Sequence, residues 1–174
     1  LDELIAWMAA SQEADGYLYT ARTIAERNGT VDQLPDDREG KTRYSNLRVS
    51  HELYNIGHMY EGAVAHFQAT GKRSLLDVAI KSADHVVATF GVDKKRDVPG
   101  HQEIEMGLVK LYLVTGNEQY LAMAKFFLDE RGHYNGRPQY GNYGNEGYTQ
   151  DHLPVTEQSE AIGHAVRAVY MYSG

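Results

Sequence analysis

No cysteine occurs among the 174 residues. That excludes disulfides, a thiolate metal site and a cysteine nucleophile within them. Proline is scarce, at four residues, and long apolar runs are missing. No stretch approaches the ~18 consecutive apolar residues that mark a membrane-spanning helix. Gly-x-Ser-x-Gly, a P-loop and GxGxxG are also absent, so serine-hydrolase, nucleotide-hydrolase and dinucleotide-binding readings have no support. Positive charge is in deficit. The formal net charge is −7 with the acids dispersed, and neither nucleic acid nor an anionic membrane surface is expected as a partner. No initiator Met or signal peptide opens the chain. Its compartment stays open; the chain opens mid-helix and stops at a helix stop signal, Gly174, so both ends read as cut.

What is present is a repeat. Ala69-Thr70-Gly71, three polar residues and Leu75-Leu76-Asp77-Val78-Ala79 return 45 positions later as Val114-Thr115-Gly116, three polar residues and Tyr120-Leu121-Ala122-Met123-Ala124. A weaker echo ends the chain at Ala168-Val169-Tyr170-Met171-Tyr172-Ser173-Gly174. Each copy reads as a helix, a Thr-Gly or Ser-Gly stop, and a second helix. Such a hairpin cannot bury its apolar face alone and needs neighbours. Apolar content of 42% fits one domain with a sizeable core.

Periodicity places the elements. Leu1, Leu4, Ile5, Met8 and Ala9 form a stripe on a first helix. Glu13 to Arg48 is polar and broken by Asn28-Gly29 and Pro35-Asp36-Asp37; it reads as a long loop with one short helix. A helix from Ser50 to Ala69 follows, with Ser50 as its cap and Glu52 as a first-turn acid. Leu53, Ile56, Tyr60, Ala63, Val64 and Phe67 make its apolar face, while His51, Tyr54, Asn55, His58 and Gly62 make a second, polar one. A second polar face suits a wet cavity. The return helix runs from Lys72 to Phe90, with Leu76, Ala79, Ile80, Ala83, Val87 and Phe90 as its stripe. A third long helix is expected from His101 to Thr115, and a fourth from Asn117 to a stop at Gly132. Pro154 and Thr156 open a last helix, with Ile162, Ala165, Val166 and Val169 inward. The fold class is all-α: helical hairpins, with no convincing strand.

Three histidines follow a glycine, at Gly57-His58, Gly100-His101 and Gly163-His164, each in or at the start of a hairpin's first helix. If these helices line one lumen, the three imidazoles converge; taken singly, each also fits a helix-surface or core histidine. His101 and Glu105 have a spacing that can hold a metal, though no HExxH occurs. Glu103 and Glu105 are more simply first-turn acids favoured by the helix dipole. Between His133 and Thr149, Tyr134, Tyr140, Tyr143 and Tyr148 lie among glycines and asparagines, a texture that suits sugar faces and hydroxyls or else a low-complexity loop. Glycosidases commonly need two flanking carboxylates; Glu52, Glu61, Glu105, Glu157 and Glu160 are available, and the sequence pairs no two of them.

Longer motifs sharpen the reading. These include His51-Glu52-Leu53-Tyr54-Asn55-Ile56-Gly57-His58, Pro99-Gly100-His101-Gln102-Glu103-Ile104-Glu105 and Gln150-Asp151-His152-Leu153-Pro154-Val155. With Gly163-His164-Ala165-Val166-Arg167-Ala168 and Asp15-Gly16-Tyr17-Leu18, they make almost the whole chain resemble the β-L-arabinofuranosidase family of bacterial glycoside hydrolases. Thr156 departs from it, standing where members usually carry Arg. The resemblance implies an (α/α)6 barrel, six hairpins about a central pocket, of which residues 1–174 would form a single partial domain, about half. It implies retaining cleavage of terminal β-L-arabinofuranosides on plant-type glycans. The nucleophile would be a zinc-bound cysteine, beside further cysteines and a glutamate, so zinc is expected in the full-length enzyme on ligands outside this chain. No catalytic residue and no metal ligand is therefore assigned here. The family's substrate-contacting histidines map to His58, His101 and His164, and less directly to His152. Expected partners are a carbohydrate substrate and the remainder of the barrel. Two other readings stay open from the residues: a helical-repeat interaction protein without catalysis, and another six-hairpin sugar enzyme such as an epimerase or unsaturated-uronide hydrolase.

Overall fold

The computed structural model describes residues 1–34, 40–133, 137 and 146–174. Seven α-helices occur among them, and no strand beyond one isolated bridge between Phe90 and Lys95. They are α1 (Asp2–Ser11), α2 (Thr20–Asn28), α3 (Glu52–Thr70), α4 (Ser74–Thr89), α5 (Ile104–Thr115), α6 (Glu118–Glu130) and α7 (Ala165–Ser173). Short 3-10 turns cover Val31–Gln33, Glu146–Thr149 and Val155–Glu157.

The 45-residue repeat is reproduced atom for atom at the helix stops. Gly71 and Gly116 take left-handed φ values of 71° and 72°. Each N–H reaches the carbonyl four residues back, Phe67 or Tyr112, at 2.8 Å. The threonine before each glycine donates its hydroxyl to the carbonyl four residues back and accepts the N–H two residues on. A β-carbon strains that backbone, so Thr-Gly is a stop with a mechanism. At α6 the Asn117 side chain then accepts the Gln119 N–H at 3.1 Å, a regular N-cap.

Two hairpins result, α3–α4 and α5–α6. Their first helices pack along one another, their return helices touch, and α7 lies against α5. The order α3, α5, α7 therefore forms one layer, with α4 and α6 behind it. The core fills the space between: Leu53, Ile56, Tyr60 and Ala63 from α3, Leu76, Ala79 and Ala83 from α4, Ile104, Leu108 and Leu111 from α5, and Tyr120, Ala124 and Phe127 from α6. Each large apolar side chain sealed there contributes about 1.5–3 kcal/mol. Two-layer packing of helical hairpins is the all-α architecture expected of part of an (α/α)6 barrel.

Several expectations need correction. Ser50 does not cap α3; its N-cap is His51, and the Ser50 hydroxyl donates to Glu52 instead. Glu52 does stand in the first turn of α3, as expected, but not as a simple surface acid. It is buried, and it accepts from the Tyr17 hydroxyl at 2.6 Å and from the Tyr44 N–H at 3.1 Å. One carboxylate thus pins two parts of the long 12–50 segment onto the start of α3. The last helix begins about ten residues later than Pro154 suggests. Between them the chain runs as a loop tied by two glutamines and ends on Gly163, whose left-handed φ of 80° breaks the backbone just before α7. Gln158 donates to the carbonyls of Gln150 and Leu153, and Gln150 donates to that of Ile162. On α7 the buried residues are Ala168 and Met171, whereas Val166 and Val169 are exposed. On α1 only Ile5 of the apolar stripe is buried.

Candidate functional site

The polar face of α3 does meet a second wall. His51, Tyr54 and His58 lie one helical turn apart or less, and the loop before α5 brings His101 over them. The His101 and Tyr54 rings are 4.3 Å apart, and the Tyr54 and His58 rings 4.5 Å. From α7, Tyr170 stands 5.6 Å from His58 and 5.7 Å from His101. His164, the N-cap of α7, is 6.2 Å from His101, and Tyr148 sits 5.2 Å from His164. His58, His101 and His164 therefore belong to one continuous cluster of imidazoles and phenols on the α3–α5–α7 layer. His152 takes no part in these ring contacts. Of the Tyr-Gly-Asn stretch, Tyr148 joins the cluster; Tyr134, Tyr140 and Tyr143 lie outside the described residues.

The Gly-His motif has a steric reason. A β-carbon on Gly57 would stand 2.8 Å from the Glu103 side chain. On Gly100 it would meet the Arg48 carbonyl oxygen at 1.8 Å, and on Gly163 the Gly147 carbonyl oxygen at 2.0 Å. Each glycine lets a neighbouring segment press against the backbone next to a histidine, which fixes where that histidine stands.

His101 is carried by irregular chain, so its backbone must be held by side chains. Arg131, fully buried, donates to the carbonyls of Pro99 at 2.9 Å and Thr149 at 3.1 Å, and to Glu105 at 3.4 Å. Arg167 donates to the Gly100 carbonyl. Gln102 donates to the Thr149 carbonyl and to Gln150. Behind them Arg137 forms a two-pronged pair with Asp151 at 2.8 and 2.9 Å. The His101 ring places Nδ1 2.9 Å from the Gln102 carbonyl oxygen, which can only accept, so Nδ1 carries the hydrogen and Nε2 the lone pair. Burial, helped by Arg167 and the neighbouring imidazoles, depresses its pKa to about 4 and keeps the ring neutral.

His101 and Glu105, whose spacing alone could hold a metal, each engage other partners. Glu105 turns away, accepting the Glu103 N–H at 3.0 Å and facing Arg131. Beside His58 lie two carboxyls, Glu103, which reads from sequence as a first-turn acid, and Glu61, one of the available carboxylates. Glu103 is wholly buried with Oε1 3.1 Å from His58 Nδ1, and Glu61 Oε2 is 3.8 Å from the same nitrogen. One donor atom from each of His58, Glu61 and Glu103 lies within 4.8 Å of the others, the sole such trio among the described residues. The Lys110 ammonium already pairs with Glu61 there. Tyr170 and Arg131 also escaped the sequence reading. Tyr170 lies within the terminal echo of the repeat, two turns after His164, which was its available signal; a buried arginine acting on carbonyls 32 residues before it and 18 after it offers none.

Comparison with known proteins bears on the family and the fold. A family model described as the GH127 β-L-arabinofuranosidase catalytic domain matches residues 1–174. The non-reducing-end β-L-arabinofuranosidase of Bifidobacterium longum subsp. longum is 36% identical over 99% of this chain and 27% of its own length. Among solved structures, a GH127 β-arabinofuranosidase superposes with a TM-score of 0.84 at 52% identity, covering 98% of this chain and 25% of that one. A GH127 β-L-arabinofuranosidase from Geobacillus stearothermophilus T6 does so with a TM-score of 0.80 at 41% identity, over 98% and 27%. The chain thus spans about a quarter of the length of these relatives.

Proposed function

The chain belongs to the GH127 β-L-arabinofuranosidase catalytic-domain family, and on that premise we propose that it forms part of a glycoside hydrolase releasing terminal β-L-arabinofuranose from plant-type glycans. Residues 1–174 would supply one wall of the sugar pocket within a larger (α/α)6 barrel. The observation that carries this reading is the convergence of His58, His101 and His164, each from a successive element of the inner layer, among Tyr54, Tyr148 and Tyr170. Neutral imidazoles present one acceptor and one donor each, and phenol faces cover the apolar side of a furanose ring. Together they can orient the anomeric carbon toward a reacting group, and correct orientation is a large part of a catalysed rate.

Retention through a zinc-bound cysteine is what the family resemblance implies. The donor chemistry here does not fit that centre: there is no thiol, and the one carboxylate–imidazole trio among the described residues holds a lysine. The wall we describe binds and orients. An open helical-repeat scaffold is the weaker reading, because it has no reason to gather three imidazoles and three phenols on its concave layer.

The test is alanine at His58, His101 and His164, one at a time, in the full-length protein, with p-nitrophenyl β-L-arabinofuranoside as substrate. Loss of one hydrogen bond to the sugar at ~1.4 kcal/mol lowers kcat/KM about tenfold. His152→Ala should cost less than any of the three. Wild-type kcat/KM in all three variants, with unchanged circular dichroism, would sink the proposal.

A further inference from the structure

Two carboxyls meet beside His58, and one of them has nothing to neutralise it. Glu103 is at 0% side-chain exposure. Neither of its oxygens has a hydrogen-bond partner, although His58 Nδ1 comes within 3.1 Å of Oε1. Glu61, by contrast, holds the Lys110 ammonium. Two carboxylates at such close range cannot both ionise, so one proton is shared between them. It resides on the wholly buried member, the one that does not hold the lysine. Burial first, then Glu61, pushes Glu103 up to about 9. Burial works against ionised Glu61 too, but the bond from Glu103 and the pairing with Lys110 outweigh it and lower its pKa.

A protonated Glu103 has one O–H, which Glu61 accepts, and one oxygen that can only accept. Oε1 lies 3.1 Å from His58 Nδ1, near enough for a turn of the ring to bring the N–H onto it. Gly57 makes the arrangement possible, since any side chain there would displace Glu103. The other groups facing this corner are Glu105 from the first turn of α5, Tyr54 beside His58 on α3, and Tyr170 from α7. None of them offers a competing fixed partner to Nδ1.

We propose that Glu103, as the protonated half of a carboxyl pair with Glu61, is a positioning residue: it holds His58 as the neutral Nδ1–H tautomer, leaving Nε2 as a hydrogen-bond acceptor for a sugar hydroxyl. His101 is held in the same tautomer by the Gln102 carbonyl. Two acceptor nitrogens then stand on either side of Tyr54 and select for hydroxyl donors. This rests on the sugar-pocket reading of His58, and the experiment separates the two.

Full-length protein labelled with 15N-histidine is measured by NMR at pH 7, with His58 assigned through H58N. The wild type is expected to show a neutral His58 with the hydrogen on Nδ1. An imidazolium or an Nε2–H ring in the wild type overturns the proposal without any variant at Glu103. Glu103→Met should abolish the tautomer preference and reduce kcat/KM on p-nitrophenyl β-L-arabinofuranoside at least tenfold, mainly through KM. Glu103→Gln copies the protonated acid in shape and in donor–acceptor pattern, and should rescue both readouts. Retention of the Nδ1–H ring in Glu103→Met overturns the proposal, as does a Gln variant as impaired as Met. Loss of the tautomer with no change in kcat/KM upholds the role of Glu103 and instead removes His58 from the sugar site.

Discussion

His101 and His58 flank the same tyrosine, yet the layers beneath them are built from opposite charges. Under His101 lie arginines: Arg131 and Arg167 grip the carbonyls of residues 99, 100 and 149, with Glu105 and Asp151 as counter-charges. Under His58 lie two carboxyls and one lysine. The difference follows from what carries each ring. His101 sits on chain with no helical hydrogen bonds of its own, so buried carbonyls need donors, and a guanidinium offers five in a rigid fork. His58 sits within α3, whose backbone is already satisfied, so only the ring needs orienting, and one acceptor oxygen is enough. A binding group on a loop requires a donor for its backbone; one on a helix requires a partner for its side chain.

The sharpest way to break this contrast is to remove the cation from each side. Arg131→Met deletes the donors to two buried carbonyls and leaves Glu105 as an uncompensated buried charge. It should destabilise the full-length protein by about 3–5 kcal/mol. Lys110→Met, on a side chain 43% exposed, should cost less than ~1 kcal/mol. Denaturant midpoints compare the two directly. Equal losses would mean that the arginine layer carries no special structural weight.

A smaller effect is expected from closing the gap that lets Glu103 reach α3. Gly57→Ala forces the Glu103 side chain and the 103–104 backbone to retreat, because all three nearest atoms would lie within 2.9 Å of the new methyl. Overpacking of this kind costs about 1–3 kcal/mol. It should also lower kcat/KM through His58 while leaving the ring contacts of His164 intact. A variant as stable and active as wild type would show that the α3–α5 approach is slack.

How much of this was legible beforehand depended on range. Thr70-Gly71 and Thr115-Gly116 act through partners within four residues, and the sequence displays such partners as a motif. Gly57, Gly100 and Gly163 were also readable, since a glycine beside a histidine marks a close approach even when its partner is unknown. The apolar stripes of α3 and α5 followed from the 3.6-residue period. What escaped was decided across the fold. Glu52 and Glu103 each stand at a helix start, where a carboxylate is ordinary, and only burial distinguishes them. Arg131 acts on carbonyls 18 and 32 residues away, and no local pattern announces that. The late start of α7 was hidden because the loop before it is tied by Gln150 and Gln158 to carbonyls outside any local motif.

The finest test of the contrast uses pH, because the two sides should answer with opposite sign. His101 titrates at about 4 in the folded protein against an ordinary value of ~6.5. Above ~6.5 both states are neutral there and the group is silent. As pH falls toward 4, the unfolded chain takes a proton that the folded one refuses, so stability is lost. Glu103 titrates at about 9 when folded against an ordinary ~4.3. Below that ordinary value both states are protonated. As pH rises toward 9, the unfolded chain releases a proton that the folded one keeps, so stability again falls, now in the alkaline direction. Melting temperatures should therefore separate from wild type toward acid for His101→Asn and toward alkali for Glu103→Gln, with the variant the less pH-dependent protein in each case. A Glu103→Gln melting curve parallel to wild type from pH 5 to 9 would mean that Glu103 is ionised in the fold. The carboxyl layer would then be a second charge-paired layer like the one beneath His101.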